Sequence, residues 1–113
     1  MSDAVISYSD FEKIKMATGT IISVKINPKA RKPAYILEID FGDEIGVKTS
    51  SAQITNYSVE DLINKQIIAV INFDKKNIAG IESEVLVLGA VNKDNTITLI
   101  SADQYLENGL SIS

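Results

Sequence analysis

Neither cysteine nor histidine occurs in the 113 residues, and tryptophan is missing as well. No disulfide framework, no thiolate nucleophile and no Cys-type zinc site can therefore be built, and the commonest general base and metal ligand is gone. No apolar run approaches membrane-spanning length. The N-terminal stretch MSDAVISYSDFEK has neither the basic n-region nor the apolar core of a signal peptide, so a cytoplasmic protein without membrane insertion is expected. Positive charge is also scarce: the net charge of −4 and pI near 4.7 give a whole-protein field that repels phosphate, which only a local basic patch overrides.

These absences exclude much catalytic chemistry. No nucleophile, base and orienting group can be assembled, so the expectation is a protein that is not an enzyme and needs no cofactor. Asp40-Phe41-Gly42 spells DFG, but without a glycine-rich loop it reads as a hairpin turn. Asp40, Asp43 and Glu44 lack the spacing of an EF-hand loop.

What is present suffices for one domain spanning 1–113. A hydrophobic fraction of 45% against 23% charged is ordinary for a globular chain of a size that folds without staples. Ser9 with Glu12 predicts a capping box and a short helix, with Phe11 and Ile14 on one face, plugging one end of a barrel built from the later strands. Thr18 to Ile26 reads as a strand with Ile22, Val24 and Ile26 on one face and Ser23 and Lys25 on the other. Asn27 to Pro33 is a loop carrying Lys29, Arg31 and Lys32, punctuated by two prolines.

Ala34 to Phe41 alternates, Tyr35, Leu37, Ile39 and Phe41 facing in. Gly42-Asp43 turns into a strand from Glu44 to Ser50, where Ile45, Val47 and Thr49 alternate with Gly46 and Lys48. Thr49 to Thr55 is read as a hydroxyl-rich connector, and Ser58 with Asp61 opens a second short helix presenting Val59, Leu62 and Ile63. Gln66 to Phe73 and Glu84 to Val91 are the next strands. A polar loop, Asn72 to Ser83, separates them. Asn92 to Asn95 is a tight turn into Thr96 to Ile100, and the tail from Ser101 keeps enough apolar residues to pack.

The run Glu84 to Val91 is apolar on both faces after its first residue, so it needs a second cover, for which a second copy of the chain is the expected source. Three strands in a meander, a helical connection and further strands give the order of an all-β OB-fold, a five-stranded Greek-key barrel with short helices at the N-terminus and in one connection. Its ligand loops, L12 and L45, then fall at Pro28 to Pro33 and at Asn72 to Ser83. Cations with hydroxyl and amide donors at one barrel mouth suit either a phosphate backbone or the carbonyls and carboxylates of an extended peptide.

Three motifs carry a resemblance. The run AGIESEVLVLGA after IIAVINF resembles the tRNA-binding OB domain of small stand-alone proteins and of methionyl-tRNA synthetase, with Asn72, Lys75, Lys76, Gly80 and Ser83 at that family's loop positions. ARKPAY at Ala30 to Tyr35, SSAQIT at Ser50 to Thr55 and SEVLVLG at Ser83 to Gly89 are similar to the CsaA family of export-related chaperones, and the likeness runs from about Phe11 to Gly109. It implies a cytoplasmic homodimer that holds unfolded polypeptides or preproteins and meets the secretion machinery, with tRNA binding as the alternative. The implied groove uses Lys29, Arg31, Lys32, Ser50, Ser51, Gln53, Asn72, Lys75, Lys76 and Ser83. Asp74, beside the two lysines, departs from the more basic loop usual in the family and weakens the tRNA reading more than the polypeptide one.

Overall fold

A computed structural model describes residues 4–113; the reading of the N-terminus as free of a signal peptide falls partly on residues 1–3, outside the described residues. The order is α1 (Tyr8–Glu12), β1 (Met16–Ile26), β2 (Tyr35–Asp40), β3 (Val47–Ala52), α2 (Val59–Leu62), β4 (Gln66–Val70), β5 (Lys76–Ile78), β6 (Ile81–Ser83), β7 (Leu86–Val87), β8 (Gly89–Val91) and β9 (Ile97–Leu99). Five strands form an antiparallel sheet ordered β3-β2-β1-β4-β7, and β6 and β7 curl back to β3. The result is the expected OB-type barrel, nearly closed. No helix among the described residues is long and apolar enough to cross a membrane.

The alternation in β2 holds: Tyr35, Leu37, Ile39 and Phe41 are all buried, against Ile21 of β1, Ile67 of β4 and Leu62 of α2. Each such side chain contributes about 1.5–3 kcal/mol by leaving water. Two neighbouring strands break the predicted parity. In β1 the register with β2 shifts between Ile21 and Ser23, a bulge that buries Ile21 and leaves Ile22 and Ile26 exposed. In β3, Ser50 lies opposite Leu37 and Lys48 opposite Ile39, so the inward face is that of Lys48, Ser50 and Ala52, the set opposite to the one expected.

The N-terminal helix differs from expectation in its cap and its place. Ser7 rather than Ser9 is the N-cap, its hydroxyl accepting from the Asp10 N–H while the Asp10 carboxylate accepts from the Ser7 N–H. Aspartate at N3 serves where the predicted box needed Glu12. No residue of α1 is buried, so the helix does not plug the barrel. A cleft of about 370 Å³ between Tyr8, Phe11, Ile14 and the barrel residues Ile45, Ile71 and Ile112 lies there instead. The second helix is capped as expected, Ser58 accepting from the Asp61 N–H.

Residues 105–112 clasp β1 and β4, and buried polar side chains hold them there. The Thr18 hydroxyl donates to the Glu107 carbonyl at 2.7 Å and accepts from the Leu110 N–H at 3.0 Å. Gln66 donates to the Leu106 carbonyl at 2.6 Å and accepts from its N–H at 2.9 Å, and Thr20 donates to Asn108 at 2.7 Å. The tail packs as expected, but through satisfied hydrogen bonds more than through its apolar residues, of which Tyr105 and Leu110 stay exposed. The turn at Asn92 to Asn95 also forms as expected, with Asn95 at φ 70° and the Asn92 N–H bonded to the Thr96 carbonyl.

Candidate ligand-binding groove

The first wall of the groove is the loop between β1 and β2, which Asn27 organises. Buried to 5% exposure, its side chain accepts from the Lys29 N–H at 3.0 Å and donates to the Ala79 carbonyl across the groove at 3.4 Å. Lys29, Arg31 and Lys32 are thereby held outward and exposed, Lys29 lying over Gly80. Sequence reasoning passed over Asn27. The Asn-Pro dipeptide, a turn initiator, was the available signal.

The second wall, expected as an open loop, is a hairpin of β5 and β6. Ala79 and Gly80 form its two-residue turn with φ of 50° and 84°, the left-handed pair that matches strand twist. Behind it the barrel seam closes mainly with side chains. Among the described residues only the Glu84 N–H to Thr49 carbonyl bond, 2.8 Å, joins backbone to backbone there, while the N–H groups of Thr49 and Ser51 donate to Glu84 Oε2 at 3.2 Å and Ser83 Oγ at 3.1 Å. Ser50, buried at 1% exposure, donates inward to the Val85 carbonyl at 3.1 Å. Ser50 and Ser51 of SSAQIT therefore belong to β3 and its seam rather than to a connector, while Thr55 lies in the turn beyond.

Two clefts adjoin at the hairpin and share Ile78. One, of about 300 Å³, is lined by Arg31, Lys32, Ser51, Gln53, Ile78 and Ala79. The other, of about 520 Å³, has an apolar wall of Phe73, Ile78, Val85 and Leu86, with Asp74, Lys76, Ser83 and Glu84 around it. Phe73 and Leu86 remain 57% and 50% exposed, apolar surface that a ligand would cover.

Of the residues the sequence singled out, Arg31, Lys32, Ser51 and Gln53 meet in the first cleft, and Lys76 and Ser83 in the second. Lys29 stands over the hairpin turn. Three point elsewhere: Ser50 into the barrel, Lys75 into ion pairs with Glu82 and Glu84 at 3.8 and 3.9 Å, and Asn72 away from both clefts. Asn72 accepts from the Lys15 N–H at 2.9 Å and donates to the Lys13 carbonyl at 2.7 Å, tying the segment after α1 to the end of β4. The run Glu84 to Val91 is not one strand. It breaks after Val85 and Leu88, burying Val85 and turning Leu86 into the groove.

Charge is distributed unevenly along these walls. Lys29, Arg31 and Lys32 have no ion-pair partner among the described residues, whereas Lys75 is shared between two carboxylates and Asp74 stands beside Lys76. One end of the groove is cationic and the other carries mixed, slightly acidic charge.

The fold is an OB-fold barrel, and the loops at its L12 and L45 positions line the two clefts. The family model described as "Putative tRNA binding domain" matches residues 16–111. The structure is similar to the CsaA chaperone protein of Picrophilus torridus, 52% identical with a TM-score of 0.92 over 96% of this chain and all of that one. It is likewise similar to the chaperone CsaA of Bacillus anthracis, 47% identical with a TM-score of 0.91 over 97% of this chain and all of that one. In sequence it is 34% identical to methionine–tRNA ligase of Pyrococcus horikoshii over 95% of its own length, which spans 14% of the ligase. The chain belongs to the tRNA-binding-domain family of OB-folds, in its CsaA branch.

Proposed function

We propose that the protein is a molecular chaperone that holds extended, unfolded polypeptide, preproteins included, in the groove between the L12 loop and the β5–β6 hairpin, without chemistry or a cofactor. The observation that carries this reading is the larger cleft: an apolar wall of Phe73, Ile78, Val85 and Leu86, of which Phe73 and Leu86 are exposed, bordered by Asp74 and Glu84. An apolar side chain fits such a wall, and carboxylates beside it repel a phosphate backbone. Affinity then comes from apolar contact, with Arg31, Lys32, Ser51 and Gln53 meeting main-chain carbonyls and client carboxylates. Holding acts by mass action, lowering the free concentration of aggregation-prone chains. Assistance to protein export in the cytoplasm, through the secretion machinery, is the wider role that the CsaA likeness supports.

Replacing Phe73 and Leu86 together by alanine is the test. Both side chains are half exposed, so the barrel stays folded, and affinity for a labelled unfolded segment is expected to fall about tenfold or more, the loss of roughly 1.4 kcal/mol of apolar contact. Unchanged affinity would remove the apolar cleft from the site.

A second reading, a tRNA-binding module, is favoured by three cations with no ion pair among the described residues at the cationic end of the groove and by the likeness to the ligase domain. Pairing as a homodimer is also proposed, with the cover moved from the run Val85 to Leu88 towards Tyr8 and Ile14, which are exposed around the cleft beside α1. An isologous contact there would put two grooves on one particle, so that a long client gains by bivalent binding. Sedimentation velocity reads the dimer directly.

A further inference from the structure

The two clefts differ in charge as much as in polarity. The smaller one is rimmed by Arg31 and Lys32, with Lys29 close by at Gly80, and no carboxylate among the described residues lines it. Asp74, Glu84 and Lys76 line the larger one, and the nearby Lys75 is already engaged by Glu82 and Glu84. Summed over Asp74, Lys75, Lys76, Glu82 and Glu84, three acids against two bases leave that end slightly negative. Because Ile78 lines both clefts, they are neighbours on a single path across the hairpin. A segment of six extended residues is about 20 Å long, enough to lie along two adjoining clefts of this size.

Resting on the polypeptide-binding reading, we infer that the groove selects its clients by charge order: a basic residue at the Asp74 end, an apolar residue on the wall of Phe73 and Leu86, and an acidic residue at the Arg31–Lys32 end. Each match is favourable and each mismatch places like charges together, so the rim discriminates more than it attracts. A uniformly basic segment is repelled at one end and a uniformly acidic one at the other. Nucleic acid, anionic throughout, belongs with the second case. Either chain direction satisfies the order, since an extended segment can lie in the groove both ways round, and the selectivity is for composition along the segment rather than for a motif.

The experiment uses four labelled peptides with one apolar centre and different flanks: basic on one side and acidic on the other, basic on both, acidic on both, and neutral on both. At low salt the mixed-charge peptide is expected to bind about tenfold more tightly than either uniformly charged one, a gap that shrinks as added salt screens the rim. Asp74→Lys, at an exposed position, is expected to shift the preference to the peptide acidic on both sides. Equal affinity for all four peptides, or a preference of the unaltered protein for doubly acidic flanks, would overturn the charge order while leaving polypeptide binding standing. Failure to bind any of the four, the neutral one included, would overturn the polypeptide reading and the inference with it.

Discussion

Gly19→Ala is expected to destabilise the barrel by about 2–3 kcal/mol and to lower its melting temperature by on the order of 10 °C. Gly19 lies in β1 opposite Ile67 of β4, and a methyl group placed on it would stand 2.7 Å from two ring carbons of Phe41 and 2.8 Å from a methyl of Ile39. Neither neighbour has room to yield, since both are buried to 1% exposure or less at the centre of the core. Overpacking at a site where two strands and a fully buried ring converge must move backbone. Gly46→Ala makes the comparison. Gly46 has φ of 86° but open space around its missing Cβ, so only backbone strain of about 1 kcal/mol is expected. Thermal melts of the two variants separate packing from conformational strain, and equal losses would contradict the packing account.

Reversing Arg31 and Lys32 together to glutamate is expected to have the largest effect on binding. Both are exposed and carry no ion pair among the described residues, so the change reverses the charge on the rim of the smaller cleft without cutting a structural contact. Any tRNA binding at low salt should fall more than about a hundredfold, and the slope of log affinity against log salt should shrink by about two if both cations contact phosphate. Polypeptide held mainly on the apolar wall should lose about tenfold at most. The same reversal at Lys75 should do less, because that ammonium is already engaged by Glu82 and Glu84. If Lys75→Glu proved the more damaging, the cationic end of the groove would lie on the hairpin instead.

The barrel was legible where one face is buried and the other wet, as in β2, whose inward residues follow from alternation alone. It was not legible in β3. There the inward positions hold Lys48 and Ser50, and Ser50 donates its hydroxyl to the Val85 carbonyl at a place where a pattern reader expects an apolar side chain. The hairpin of β5 and β6 was hidden for a different reason: Ala79 occupies a left-handed position that glycine or asparagine usually announces. The continuous apolar run from Val85 conceals two breaks, since hydrophobicity carries no mark of a change in strand direction. For the groove, the basic loop was visible as punctuation between two prolines, and Gln53 only through the family likeness. Its apolar wall was not, because Phe73, Ile78 and Leu86 come from separate segments and look like ordinary strand residues until the fold brings them together.

Fluorescence anisotropy of the protein against a labelled unfolded preprotein segment and against labelled tRNA, each at low and moderate salt, tests the central claim most directly. The account expects peptide binding that survives added salt, with tRNA weak at low salt and lost at moderate salt. Tight tRNA binding with a steep salt slope, and no binding of the peptide, would contradict it and make the cationic loop the whole of the site.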